Sequence, residues 1–255
     1  MSMSKILIGS SLLLALNIAS HAQELGNNVN PVLRKHAENI TFYLNFDEDN
    51  QLPVMAKSQK NIKSQEGVAT FEKGLWGKCL RTGHTNYYAE GNLDLSAPGT
   101  LIMWVSPWKW KQTEKEDYFW PFMAVTDASK IQLGRQGGAW GKTRIYAYVT
   151  VFNGKTNIYH GIEGGSGKNW KNGEWHMLVL AWTPENIAIS VDGGKLAEKG
   201  IPQPLGNKTE WFCIGAAVTE KQTQVLQDEV IILNTKLNDD EIKSLYEETL
   251  KAAGK

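Results

Sequence analysis

Cysteine is scarce in this 255-residue sequence, which holds only Cys79 and Cys213. Two thiols cannot build a disulfide framework or a four-ligand zinc site, and neither belongs to a Cys-x-x-Cys pair, which argues against cysteine-based metal or redox chemistry. Excess charge of one sign is missing too: 27 Lys+Arg balance 27 Asp+Glu, and no basic run restores a local field. That removes the electrostatic term that dominates nucleic-acid binding, so no nucleic-acid partner is expected. After residue 22 no segment approaches the roughly 20 apolar residues of a membrane-spanning helix, so no membrane span is expected. Neither a Ser-based nucleophile elbow nor a zinc-protease helix occurs.

The apolar run that does occur is short and N-terminal. Lys5 supplies a positive start, Ile6 to Ile18 form the apolar stretch, and Ser20-His21-Ala22 places small residues where a signal peptidase reads them. Residues 1–22 are expected to be an export signal, with a mature chain of 233 residues (255 less 22) starting at Gln23 and a secreted or periplasmic location. No Cys follows that point to carry a lipid. In such a compartment Cys79 and Cys213 form either one long-range disulfide, worth up to about 4–5 kcal/mol in a chain-entropy account, or two buried thiols.

Residues 23–39 and 48–66 are polar and lack periodicity, which reads as an N-terminal arm and a surface connection. Most of the remainder has strand character. In Arg144 to Phe152, Ile145, Ala147, Val149 and Val151 share one face, while Arg144, Tyr146, Tyr148 and Thr150 share the other. Thr100 to Val105 is apolar on both faces, as a doubly covered strand would be. Two strands between Trp175 and Val191 flank the turn tetrad Thr183-Pro184-Glu185-Asn186. A final helix is predicted after Asn238, with Glu241 as capping-box partner and Ile242, Leu245, Tyr246 and Leu250 on one stripe. Some ten short strands with Gly-rich turns and a single helix argue for an all-β sandwich spanning residues 40–255 as one domain.

Seven short motifs, in order, resemble the laminin-G-like (concanavalin A-like) jelly rolls of secreted bacterial proteins. They are Leu-Asn-Phe-Asp at 44–47, Gly-Lys-Cys-Leu-Arg at 77–81, Gly-Thr-Leu-Ile-Met-Trp-Val-Ser-Pro at 99–107, Gly-Glu-Trp-His at 173–176, Val-Asp-Gly at 191–193, Ile-Gly at 214–215 and Asp-Glu-Val-Ile-Ile-Leu at 228–233. Leu-Asn-Asp-Asp-Glu-Ile-Lys-Ser-Leu-Tyr at 237–246 is similar to the helix that closes many such domains. The resemblance implies a concanavalin A-like jelly-roll β-sandwich with a short C-terminal helix, whose concave face commonly binds glycans. It also implies a structural Ca²⁺ near the first and last strands, for which Asp47 and Asp228 are the candidate ligands, since carboxylate and carbonyl oxygens suit a hard cation.

Catalysis on this fold has its own requirement. Glycoside hydrolysis generally uses two carboxyl groups across the scissile bond, and the glucanase branch supplies them from an alternating Glu-x-Asp-x-x-Glu strand that this sequence lacks. Glu114, Glu116 and Asp117 sit among lysines in a segment without strand character and read as a solvated connection. His176, next to Trp175, reads as a satisfied core histidine. A lyase that abstracts a proton with Tyr146, Tyr148, Arg144 or His160 is the alternative within the enzyme class. An adhesion or assembly module that binds protein is the third reading.

Ten tryptophans form the remaining signal. Trp104, Trp175, Trp182 and Trp211 have apolar strand neighbours and read as core, whereas Trp76 suits either setting. Trp108, Trp110, Trp120, Trp140 and Trp170 lie in polar or Gly-rich segments, where large rings either cap the sandwich ends or stack on sugar. The predicted glycan site combines Trp108, Trp110 and Trp140 with the strand residues Gln132, Arg144, Tyr146 and Tyr148. Arg135 joins Arg144 in suiting an anionic polysaccharide.

Overall fold

The computed structural model describes residues 30–58, 60, 62–110, 119–136, 144–152, 157–206, 208–217 and 225–255. Among them the order is helix α1 (Pro31–Lys35), strands β1 (Ile40–Leu44), β2 (Met55–Ala56), β3 (Ile62–Lys73), β4 (Lys78–Tyr88), β5 (Gly99–Pro107), β6 (Phe119–Thr126), β7 (Ser129–Gln136) and β8 (Arg144–Phe152), then β9 (Asn157–Gly165), β10 (His176–Thr183), β11 (Asn186–Val191), β12 (Ala197–Gly200), β13 (Thr209–Ala217), β14 (Val225–Leu233) and helix α2 (Asp239–Ala252). All the pairings are antiparallel, and they build two layers. A front sheet runs β3-β4-β13-β6-β7-β8-β9, and a back sheet runs β12-β11-β10-β5-β14-β1-β2. Strand β14 joins the layers: it meets β4 only at Gln227↔Leu80 and then continues between β5 and β1.

Alternation along the strands fills the space between the sheets. Ile145, Ala147, Val149 and Val151 of β8 meet Leu178, Leu180, Ile187 and Ile189 of the back sheet in one buried cluster. The opposite side of the back sheet is buried as well, which accounts for strands such as β5 that are apolar on both faces. There Ile102, Trp104, Met177, Val179 and Ile231 pack beneath Val32 of α1 and Ile242 and Leu245 of α2. The capping box predicted for α2 is present: the Asn238 side chain accepts from Glu241 N–H, and the Glu241 side chain accepts from Asn238 N–H. Tyr246 stacks on Trp104 at 5.7 Å and fixes the helix against the sheet. Two helices thus cover the back, while among the described residues none lies on the outer face of the front sheet.

Some expectations are corrected. The stretch 48–66 is not wholly a connection, because β2 and the first part of β3 lie within it. As an outer strand paired only to β4, β3 is exposed along most of that part, so no apolar face betrays it in the sequence. Residues 30–39 of the presumed arm include α1, capped by Asn30. Trp104 and Trp182 are core as expected, but Trp175 and Trp211 are only half-buried.

Candidate functional site

The open outer face of the front sheet presents an aromatic row whose placement follows from strand pairing. Tyr146 stands between Gly134 of β7 and Glu163 of β9, and Tyr148 between Gln132 and Gly161. Side chains opposite one another in an antiparallel pair share a face, so the two tyrosines, Gln132 and Glu163 all point outward. The two tyrosine rings stack at 5.4 Å. A one-residue bulge in β6, where Phe119↔Arg135 gives way to Phe122↔Leu133, contains Trp120 and Pro121. Proline has no N–H to lose from the ladder, so it suits that bulge. The bulge swings Trp120 over Gly134, where a Cβ would collide with Trp120 Cδ1 and the Phe119 carbonyl oxygen. The indole N–H donates to the Tyr146 hydroxyl, and the ring stays 42% exposed.

These residues line an open groove of about 750 Å³, with Gln136 and Arg144 at one end. Arg144 donates to Glu163 at 2.6 Å and to Gln136 at 2.8 Å, and its guanidinium lies 5.8 Å from the Tyr146 ring centre. The local cation is therefore neutralised within the groove. Burial pushes the Tyr146 hydroxyl up to about 12, although the Trp120 hydrogen bond pulls the other way. The phenol stays protonated at neutral pH, a hydrogen-bonding group rather than a base. His160 pairs with Val149 and so shares that residue's inward face, away from the tyrosines. Arg144 and the two tyrosines come together as the lyase alternative required, but the histidine does not.

Of the predicted ligand residues, Arg144, Tyr146 and Tyr148 form the groove. Gln132 lies beside Tyr148 but is only 4% exposed, beneath the surface. Arg135 is three positions from Gln132 and therefore on the other face: it is buried, with its guanidinium 4.3 Å from the Trp110 ring centre. Trp110 itself is buried, stacked on Trp170 and tilted against Phe119 as a plug at the sandwich end. Trp108 lies outside the groove and lines a separate cavity. Trp140 lies outside the described residues, as do Glu114, Glu116 and Asp117. His176 is half-buried and satisfied at one nitrogen only: Nδ1 lies 2.8 Å from Asp192 and the ring stacks on Trp170, but the buried Nε2 has no hydrogen-bond partner. Trp120, Gln136 and Glu163 complete the groove without having been predicted in it. Continuing the alternation from Gln132 would have found Gln136, and the polar setting had already marked Trp120. Glu163 sits in a strand that composition does not reveal.

A family model described as the concanavalin A-like lectin/glucanases superfamily matches residues 81–243. The chain belongs to this superfamily. No curated protein sequence matches it. Among solved structures, the chain is similar to the binding domain of Paraclostridial Mosquitocidal Protein 1, with a TM-score of 0.63 and 12% identity over 82% of this chain and 52% of that one. The botulinum neurotoxin serotype D binding domain gives 0.58 and 10% over 83% and 52%. The botulinum neurotoxin DC binding domain in complex with SialylT gives 0.56 and 13% over 88% and 52%. This chain spans about half the length of each. At these identities the likeness concerns the fold, a superfamily jelly roll.

The two aspartates expected near calcium meet where β14 passes from one sheet to the other. Asp228 is fully buried; it accepts from Leu75 N–H at 2.8 Å and Glu229 N–H at 2.9 Å. Asp47 accepts from Lys78 N–H at 2.9 Å and from the Asn45 amide at 2.8 Å. The turn between β3 and β4 closes over both, and only glycine fits: a Cβ at Gly74 would collide with Asp228, and one at Gly77 with Asp47. Glu229 follows at a left-handed φ of 51°, held by Asn30 at 2.5 Å and Tyr43 at 3.1 Å. Burial first, and then the charge of Glu229, push Asp228 well above the usual carboxylate range. Burial pushes Glu229 up to about 7, with the Asn30 and Tyr43 hydrogen bonds opposing.

The two cysteines are free and buried. Cys213 pairs with Asn86, which is seven residues along β4 from Cys79, or about 23 Å at ~3.3 Å per residue, far beyond disulfide reach. Burial raises both thiols to about 12, so neither is a reactive thiolate.

Proposed function

We propose that the protein is an exported carbohydrate-binding module that holds a neutral oligosaccharide in the Trp120–Tyr146–Tyr148 groove. The observation that carries this reading is the exposed indole held over Gly134 beside a protonated tyrosine, on a sheet face that no helix of the described residues covers. Aromatic faces complement the C–H patches of a pyranose, while Gln136, Arg144 and Glu163 supply the donors and acceptors that its hydroxyls need. Because Arg144 is paired with Glu163, the described residues of the groove present no unbalanced cation, which favours neutral sugars over the anionic ones suggested by the arginines alone. A structurally similar binding domain, about half of which this chain matches, has been solved in complex with SialylT, which is in keeping with a binding role.

The test is retention on a glycan array by the protein and by Tyr146→Ala. Neutral glycans bind the former and not the latter, with unchanged thermal unfolding. Release of reducing ends or unsaturated products from a polysaccharide panel would instead establish an enzyme. Binding to a protein array with no glycan retained would favour an adhesion module.

We also propose that Asp47 and Asp228 hold a structural Ca²⁺. The support is the donor chemistry, two hard carboxylates that act on one another electrostatically, together with the glycine cradle at 74–77; among the described residues no third acidic, histidine or cysteine side chain completes the set, so carbonyl oxygens would supply the rest. A bound cation would offset the mutual repulsion of these acids and tie β14 to the β3–β4 turn.

A further inference from the structure

A second cavity, of about 500 Å³, lies on the other side of the sandwich, and no part of the reading above uses it. Ser106 and Leu226, paired across β5 and β14, contribute to its lining at the end of the back sheet beyond the Trp104–Tyr246 stack. Trp108 and Trp175 add two half-buried indoles. Lys73 and Lys109 are exposed at its lining, neither of them in an ion pair among the described residues, and no acidic side chain lines it. In a chain with a net charge of zero, this is a concentration of positive charge.

Two further features point to a ligand. The Ser106 hydroxyl and the Trp108 indole N–H are buried hydrogen-bonding groups without a partner, and both residues line the cavity. Leaving such a group unsatisfied carries its full desolvation cost, which a ligand oxygen would relieve. Lys109 adopts a left-handed φ of 55°, a conformation that strains a non-glycine residue. That backbone folds its ammonium to 5.5 Å from the Trp108 ring centre, while the Arg81 guanidinium lies at 5.7 Å. The ring is thereby fixed among cations.

We propose that this cavity is a second saccharide site, for a sugar bearing a sulfate ester or a carboxylate. The oxyanion is held by Lys73 and Lys109 and accepts from Ser106 and Trp108, while the pyranose lies against the indoles. A neutral sugar leaves the lysines unused, and a bare anion leaves the aromatic surface unused.

The test is calorimetric titration of the protein with a sulfated oligosaccharide, a uronic-acid oligosaccharide, their neutral counterpart and sodium sulfate. At least one acidic oligosaccharide binds, ten-fold or more tighter than the neutral one or sulfate. The double variant Lys73→Gln/Lys109→Gln weakens it at least ten-fold. Ser106→Ala and Trp108→Phe, which keep the packing but remove one hydrogen-bonding group each, weaken it several-fold without lowering the melting temperature. Tyr146→Ala, in the groove on the other sheet, leaves it unchanged. Acidic-sugar binding that survives the lysine variant, or that disappears with Tyr146→Ala, overturns the proposal. So does sulfate binding as tightly as the oligosaccharides, or no acidic ligand binding at millimolar concentration.

Discussion

Trp120 owes its position to the missing side chain of Gly134, so two substitutions should damage the groove in distinguishable ways. Trp120→Ala removes a ring that is 42% exposed and one hydrogen bond to Tyr146. The folded state loses on the order of 1 kcal/mol. Binding loses the aromatic anchor, and truncating such a residue costs about 2 kcal/mol or more, roughly a thirty-fold rise in Kd. Gly134→Ala leaves the indole in the sequence but puts a Cβ where Trp120 Cδ1 and the Phe119 carbonyl oxygen lie. The ring must leave, so binding falls by a similar factor. The overpacked bulge costs a further ~1–3 kcal/mol, or a few degrees to about 10 °C in Tm for a domain of this size. Titration with a glycan identified on the array, with thermal unfolding in parallel, measures both quantities. Wild-type affinity in both variants would refute the assignment of the groove. Loss with Trp120→Ala but not with Gly134→Ala would refute the mechanism that positions the ring.

Glu163→Gln removes the partner of Arg144, and retention should shift from neutral towards acidic glycans; an unchanged profile would show that the pair does not set selectivity. Calcium should raise Tm, and Asp228→Asn should abolish that rise; a Tm indifferent to calcium and chelator would remove the proposed ion. In chelator, the raised Asp228 and Glu229 make stability fall with pH, because between the two pKa values the folded state retains protons that the unfolded chain has released. The Glu229 contribution is fully present below about pH 4.5 and lost as pH rises through about 7, a change of about 3 kcal/mol, so denaturant midpoints that rise across that window would contradict it. Leu245→Ala, beneath α2, should cost ~2–5 kcal/mol without altering glycan affinity, since it touches only the back layer.

Strand alternation, turn residues and the capping box were legible without coordinates because each depends on neighbours a few positions apart. The period-two pattern of β8 identified the outward tyrosines, and Asn238 with Glu241 identified the start of α2. Edge strands were not legible: the first half of β3 is exposed along nearly all its length, so its composition is that of a loop. The same limit governed the tryptophans. A polar setting marked Trp110, Trp120 and Trp170 alike, yet two plug the sandwich end and one lines the groove. Which outcome applies depends on what lies across the sheet.

The sequence by itself determined a neutral all-β sandwich of the concanavalin A-like kind, its closing helix, and the face on which Tyr146 and Tyr148 lie. Tertiary structure alone decided which sheet face remains open, because α1 and α2 cover the back from opposite ends of the chain. It paired Arg144 with Glu163 and buried Arg135 on Trp110, two contacts that nothing in the spacing of the arginines indicates. It also separated the cysteines by the length of a strand while drawing Asp47 and Asp228 together. The physical reason is common to all of these: charge pairing, burial and reach depend on distances between strands, and strand order is a property of the folded chain.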